Sequence, residues 1–212
     1  MPCPLCTLHS VFYCQDRLRR FFRCENCELI FADPASQLST EEEKKIYDLH
    51  ENRPDDPYYR KFLSQLSEPL LEKLPPAAQG LDYGCGPGPA LKLLLEEKGM
   101  AVSLYDLYYF PDRDTLNKKY DFVTSTEVVE HFAKPAESWV HLADLVKPGG
   151  YLGIMTSLFT RADCNGFQRW RYKNDPTHVS FYTPEAIHWL ATYLGFRVEI
   201  VSQQVILFQR PD

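Results

Sequence analysis

Four cysteines form two Cys-x-x-Cys pairs, Cys3/Cys6 and Cys24/Cys27, separated by 17 residues. At that spacing two tight knuckles can aim four thiolates at one zinc ion. A four-thiolate site leaves no open position on the metal, so it would supply folding energy rather than catalysis. The alternative, disulfide pairing, belongs to oxidising compartments. Cys14 and His9, in the spacer, lie outside the paired knuckles and are expected to pack or face solvent. A second group comprises Glu127, Glu130 and His131, which would share one helical face at i, i+3 and i+4, with His178 far downstream. Two carboxylates and two imidazoles would suit Mg²⁺ or Mn²⁺, whereas His178 alone would suit a general base, the reading preferred here. The blander reading of EVVEH is a helix start whose carboxylates favour the dipole, with His131 bonded to the scaffold. A third group is LDYGCGPG, where Gly84, Gly86 and Gly88 let the backbone turn sharply and approach a ligand. Finally, FTRADCNGFQRWRYKNDPTHVSFYT interleaves Arg161, Arg169, Arg171 and Lys173 with Phe167, Trp170 and Tyr172. That segment is either a grip for an anionic or planar acceptor or a packed cover over the sheet edge.

These residues need elements to hold them. SVFYC and RFFRC read as hairpin strands joining the two cysteine knuckles, with Arg17, Arg19, Arg20 and Arg23 on a solvated face balanced by Asp16, Glu25 and Glu28. Ser39 or Thr40 with Glu42 or Glu43 offers a capping box for a helix through EEEKKIYDLH, followed by the loop ENRPDDP. Asp56 and Pro57 start a second helix that Pro69 is expected to kink or divide. From about residue 78 strands and helices alternate: QGLDYG, PALKLLLEEK, AVSLYD, YDFVTST, PAESWVHLADLV, YLGIMTS, TPEAIHWLATYL, FRVEIVS and QVILFQR. Alternation of this kind predicts an α/β fold with a mostly parallel sheet, and the short last connection predicts an antiparallel C-terminal hairpin. The expected organisation is a zinc ribbon over 1–33, a helical linker or cap over 34–77 and a main domain over 78–212.

A nicotinamide fingerprint would want a small residue at position 89, which is Pro89. Asp82 two residues before Gly84, the alternating glycines, and Asp106 ending the next strand instead resemble the first motifs of the class I S-adenosylmethionine-dependent methyltransferases. The resemblance continues through TSTEVVEHF, VKPGGYLGIMT and DPTHVSFYTPEAIHWLATYLGF, covering about residues 79–210. Zinc ribbons fused ahead of such domains are familiar among bacterial members. The resemblance implies a Rossmann-like sheet and S-adenosylmethionine as cofactor. Asp82, Gly84, Cys85, Gly86 and Gly88 would lie at its methionine part, Asp106 and Leu107 at its ribose, and Thr126 and Glu127 where the fourth strand opens. In the similar small-RNA 2′-O-methyltransferases and ubiquinone-pathway O-methyltransferases, a run like EVVEH helps hold a divalent ion. One departure stands out: only 13 residues separate Asp106 from Tyr120. A third strand and its helices do not fit there, so the adenine-contacting acidic motif is missing, and Tyr108 or Phe110 could form an aromatic wall instead.

Hydrophobic residues make up 44% and charged residues 25% of the 212-residue chain, an ordinary globular composition that excludes a disordered or fibrous protein. Its 23 Lys and Arg against 29 Asp and Glu give a net charge of −6, which disfavours a bulk nucleic-acid coat. No stretch approaches the roughly 20 apolar residues of a membrane span, and MPCPLCTLHS lacks a secretory signal, so a cytoplasmic protein without a membrane partner is expected. The leading functional expectation is a methyltransferase acting on a small metabolite, with His178, His131, Glu127 and Glu130 as catalytic candidates. The alternatives are an RNA or protein methyltransferase guided by the ribbon, and a noncatalytic module whose pocket senses the cofactor.

Overall fold

The computed structural model describes residues 1–49, 52–161 and 163–212. His50 and Glu51, where the sequence ends the first helix and opens the ENRPDDP loop, lie outside the described residues, as does Ala162 in the insert.

Strands β1 (Ser10–Gln15), β2 (Arg20–Cys24) and β3 (Ile30–Ala32) pair antiparallel in that order. The Asp16 carboxylate shapes the β1–β2 turn by accepting the backbone N–H groups of Leu18 and Arg19, each at 2.8 Å. Helix α1 (Thr40–Tyr47) starts from a complete capping box between Ser39 and Glu42. In helix α2 (Pro57–Leu71), Asp56 caps the first turn and Pro57 opens it. Contrary to expectation, Pro69 does not divide α2. It sits in the last turn, and Leu66 and Leu70, both fully buried, anchor the helix on either side of the lost N–H.

The remaining elements are β4 (Gln79–Tyr83), α3 (Ala90–Glu96), β5 (Ala101–Tyr105), β6 (Tyr120–Thr126), α4 (Pro135–Asp144), β7 (Val146–Met155), α5 (Cys164–Arg169), β8 (Ser180–Phe181), α6 (Pro184–Leu194), β9 (Arg197–Ile200) and β10 (Val205–Gln209). The main sheet runs β5-β4-β6-β7-β10-β9. Its first four strands are parallel, and β10 lies antiparallel between β7 and β9. β5 is an edge strand, as the short 106–120 connection requires. One core joins Trp139, Leu142, Ile187 and Leu190 to the sheet; another joins Leu63, Leu66, Leu91 and Leu95 to it. This order places the carboxyl ends of β5, β4 and β6 side by side, where α/β sheets build ligand sites.

The insert between β7 and α6 is not an open loop. It folds into α5, a 3-10 turn at Arg171–Asn174, and β8, which extends the N-terminal sheet to β1-β2-β3-β8 through Ile30–Phe181 and Phe31–Ser180 pairing. Phe167 is fully buried, with its ring 5.0 Å from Phe21 and 5.3 Å from Phe181. Of the two readings open for the insert, the packed cover describes its aromatic residues: Phe167 and Trp170 pack with the hairpin, Arg161, Arg169 and Arg171 are exposed, and Lys173 is buried. No helix among the described residues is long and apolar enough to cross a membrane.

Candidate active site

The turn after β4 begins at Gly84, whose φ of 77° is disfavoured for any residue with a Cβ. Its N–H donates to the Tyr105 carbonyl at 2.7 Å, and a Cβ there would meet Val128 Cγ2 at 2.4 Å. Two residues on, the Gly86 N–H donates to Asp106 Oδ2 at 2.9 Å. The other oxygen, Oδ1, accepts the N–H groups of Tyr108 and Tyr109 at 2.8 and 3.0 Å. Asp106 thus ties the turns after β4 and β5 together while keeping one lone pair, on Oδ2, for a ligand.

A cavity of about 780 Å³ opens over these turns. Gly84, Cys85, Gly86, Asp106 and Leu107 line it, together with Tyr108. Tyr109 lines it as well, whereas Phe110 pairs its backbone with Asp106 and is not part of the lining. Two expected contacts are placed elsewhere. Asp82 is buried below the turn, accepting from Thr124 Oγ1 at 2.9 Å, and burial lifts its carboxyl to about 7. Gly88 leaves room for another segment: a Cβ there would lie 1.7 Å from the Asn52 carbonyl oxygen. Asn52 itself lines the cavity, a role that no sequence signal announced.

Across β4 from β5, the end of β6 supplies Thr126 and Glu127 to the same cavity. The shared helical face expected for Glu127, Glu130 and His131 does not exist. Glu127 takes a φ of 53° with its N–H bonded to the Met155 carbonyl, and only a 3-10 turn, Val129–His131, follows. This kink gives the two carboxylates different settings. Glu127 faces the cavity, and its Oε1 is buried with no hydrogen-bond partner among the described residues. Burial, and then the neighbouring Glu130, push its carboxyl up to about 8. Glu130 is fully buried, accepting from Tyr172 OH at 2.5 Å on Oε1 and from Thr156 Oγ1 at 2.9 Å on Oε2.

His131 and His178 meet over Glu130. The ligating atoms of the three residues all lie within 4.8 Å of one another. The Nε2 atoms of His131 and His178 stand 3.9 and 4.0 Å from Glu130 Oε1. His131 Nδ1 is 3.1 Å from the Thr177 carbonyl, and His178 Nδ1 is 2.7 Å from the Tyr172 carbonyl. A carbonyl can only accept, so each ring in its neutral form carries the proton on Nδ1 and turns a bare Nε2 inward. Burial depresses the His178 pKa, opposed by Glu130, and Asp175 Oδ2 lies 3.9 Å from its Nε2. From α1, Tyr47 closes the site with its ring 5.3 Å from that of His131.

In the N-terminal hairpin, the Sγ atoms of Cys3, Cys6, Cys24 and Cys27 cluster within 4.8 Å. Cys3 and Cys27 are 3.5 Å apart, Cys6 and Cys24 3.4 Å. Hydrogen bonding from Cys27 outweighs burial and draws the Cys3 thiol down to about 5. Cys14 lies outside this cluster, buried against the aromatic insert. Nor is the arginine face wholly solvated: Arg19 is only 8% exposed, because its guanidinium turns into the protein toward carbonyls of the insert.

Residues 50–201 match a family model described as a methyltransferase domain. Ubiquinone biosynthesis O-methyltransferase of Shewanella pealeana is 35% identical over 77 residues, 36% of this chain and 33% of that protein. Its counterpart in Shewanella halifaxensis is 33% identical over 91 residues, 43% of this chain and 38% of that protein. These matches span only about a third of the relatives' length. Among solved structures, the fold is similar to Burkholderia thailandensis 1,6-didemethyltoxoflavin-N1-methyltransferase with its bound acceptor and S-adenosylhomocysteine. There the TM-score is 0.53 at 15% identity, covering 97% of this chain and 100% of that one. Streptomyces venezuelae DesVI gives a TM-score of 0.53 at 14% identity, covering 83% of this chain and 100% of that one. At such identities the likeness is one of fold.

Proposed function

The chain belongs to the methyltransferase-domain family, and from that premise we propose that it transfers the methyl group of S-adenosylmethionine to a hydroxyl of a small acceptor. The observation that carries this reading is the convergence of two bare Nε2 atoms, backed by the buried Glu130 carboxylate, on the cavity that also holds the glycine turn and Asp106. The sulfonium is already a good leaving group, so a protein must chiefly place the acceptor in line and remove its proton. Asp106 retains one acceptor site, on Oδ2, for a ribose hydroxyl, and the unpartnered Oε1 of Glu127 suits the ammonium of the methionine part. His178 Nε2 takes the acceptor proton, and Glu130 and Asp175 stabilise the imidazolium. Two imidazole nitrogens and one carboxylate oxygen also fit a divalent ion, Mn²⁺ more readily than the oxygen-seeking Mg²⁺. Held by Glu130, His131 and His178, such an ion would supply acidity to a coordinated hydroxyl.

A small acceptor is further supported by the hairpin's charges. Arg20 and Arg23 pair with Asp33 and Glu28 rather than forming an open basic face for RNA. In this proposal Cys3, Cys6, Cys24 and Cys27 hold a structural zinc within 1–33, residues 34–77 cap the cavity, and 78–212 carry the chemistry. Metal analysis of the purified protein should find one zinc, lost when Cys24→Ser and Cys27→Ser are combined.

The function is tested by following label from S-[methyl-³H]adenosylmethionine into a panel of small phenols, catechols and hydroxy acids, with and without Mn²⁺. Transfer is expected for the native chain and to fall at least about 100-fold in His178→Ala, with S-adenosylhomocysteine affinity unchanged. Failure of the native chain to bind S-adenosylhomocysteine would overturn the reading.

A further inference from the structure

One side chain connects the cysteine hairpin to the reacting groups. Arg19 follows the β1–β2 turn, with its guanidinium over the Phe21 ring at 5.2 Å. Its Nη1 donates to the carbonyls of His178 at 2.8 Å and Pro176 at 3.4 Å. Its Nη2 donates to the carbonyls of Asp175, at 3.1 Å, and Lys173. All four acceptors belong to a segment more than 150 positions away in the chain. Beside this clamp the buried Lys173 ammonium binds Asp16 Oδ2 at 2.7 Å. Asp16 is also the residue whose carboxylate shapes the turn that presents Arg19.

Four carbonyls converging from one short segment need several donors in a fixed plane, which a guanidinium provides and an ammonium or amide does not. Burying that charge is costly unless every donor is used, so the clamp is specific to its geometry. The held segment determines how His178 is presented. Its carbonyl is fixed by Arg19, its N–H by the Asp175 carbonyl at 3.2 Å, and its ring by the Tyr172 carbonyl.

We propose that Arg19 is a positioning residue for methyl transfer, and that the hairpin's part in the reaction is to hold residues 173–178 so that His178 Nε2 faces Glu130 and His131. This rests on the role given to His178 above. The hairpin is then a brace for the acceptor half of the cavity rather than a recruiter of a macromolecule. Its influence reaches the site through main-chain carbonyls, without Arg19 touching either substrate.

The test is the tautomeric state of His178 in the full-length chain, read from long-range ¹H–¹⁵N spectra of the imidazoles, with S-adenosylhomocysteine binding measured alongside. Native protein should show His178 protonated on Nδ1. Arg19→Gln should lose that signature at His178 while binding S-adenosylhomocysteine within about twofold of the native affinity. Arg19→Lys keeps the charge but not the fork, and should move the same resonance in the same direction by less. A His178 signal unchanged in whichever variant folds, even with a lower melting temperature, would mean that Arg19 is merely structural and would overturn the proposal. Failure of the native chain to bind S-adenosylhomocysteine would count against the methyltransferase reading instead, and the Arg19 result would stand separately.

Discussion

The two halves of the cavity are built in different ways. The cofactor half comes from two neighbouring βα turns, and its geometry is set mainly by backbone: Gly84 at positive φ, the Gly86 N–H on Asp106, and two further amides on the same carboxylate. The acceptor half is assembled from the 3-10 turn that carries Glu130 and His131, the insert at residues 172–178, Tyr47 of α1, and Arg19 of the hairpin. Its geometry is set by side chains that are far apart in sequence. The cofactor half should therefore fail when its turns are filled or uncapped, whereas the acceptor half should fail when a remote contact is cut and leave cofactor binding intact.

The largest effect is expected from Gly84→Val. It forces a branched side chain into positive φ and onto Val128, combining about 1–2 kcal/mol of backbone strain with about 1–3 kcal/mol of overpacking. Calorimetry should show S-adenosylhomocysteine affinity falling at least about 100-fold; near-native affinity would mean that the ligand does not lie over this turn.

Glu130→Gln separates the halves from the other side. It removes the buried charge that both imidazoles face; the amide keeps one acceptor oxygen for one of the two hydroxyls, Tyr172 or Thr156, and its NH2 donates to the other. Methyl transfer should drop about 100-fold, in the range of general-base contributions, with unchanged S-adenosylhomocysteine affinity. Equal losses in turnover and cofactor binding would show that the halves are not separable.

A smaller effect is expected at Asp106. Asp106→Ala removes the acceptor of three backbone N–H groups and of the proposed ribose contact, so S-adenosylhomocysteine should bind about tenfold more weakly, near 1.5 kcal/mol. Asp106→Asn, which keeps one acceptor oxygen, should lose less, and an Asn variant as weak as the Ala variant would argue for a role of charge alone.

The last effect is one of pH on stability and concerns Asp82, beneath the cofactor turn. Burial raises its carboxyl from 3.8 to about 7, opposed by the Thr124 hydroxyl. Folding therefore favours the protonated form: the stability this contributes is full below about pH 4 and is lost as pH rises through about 7. The melting temperature of native protein should decline from pH 5 to pH 7.5 relative to Asp82→Asn. Parallel curves would place Asp82 in a more solvated setting.

The same division governs what the sequence disclosed. Strand and helix alternation, the N-cap of α1, the edge position of β5 and the antiparallel β9–β10 hairpin were legible because each depends on local pattern, chain length or turn chemistry. So were Gly84, Gly86 and Asp106, whose task is carried by the backbone turn in which they stand. Asn52, Tyr47 and Asp175 were not legible, because they enter the site only after the sheet brings distant segments together. The helical spacing of Glu127 and Glu130 misled, since the positive φ at Glu127 breaks the period before a helix can form. Arg19 looked like one of several surface cations; its four carbonyl acceptors lie in a segment whose fold no local pattern announced.

The most direct measurement is a crystal structure of the chain with S-adenosylhomocysteine. The expected result is a ligand in the cavity with a ribose hydroxyl on Asp106, its ammonium on Glu127, and its sulfur facing the space beside the Nε2 atoms of His131 and His178. A ligand bound elsewhere, or a sulfur more than about 10 Å from His178 Nε2 and so beyond proton-transfer reach even through one water, would contradict the account.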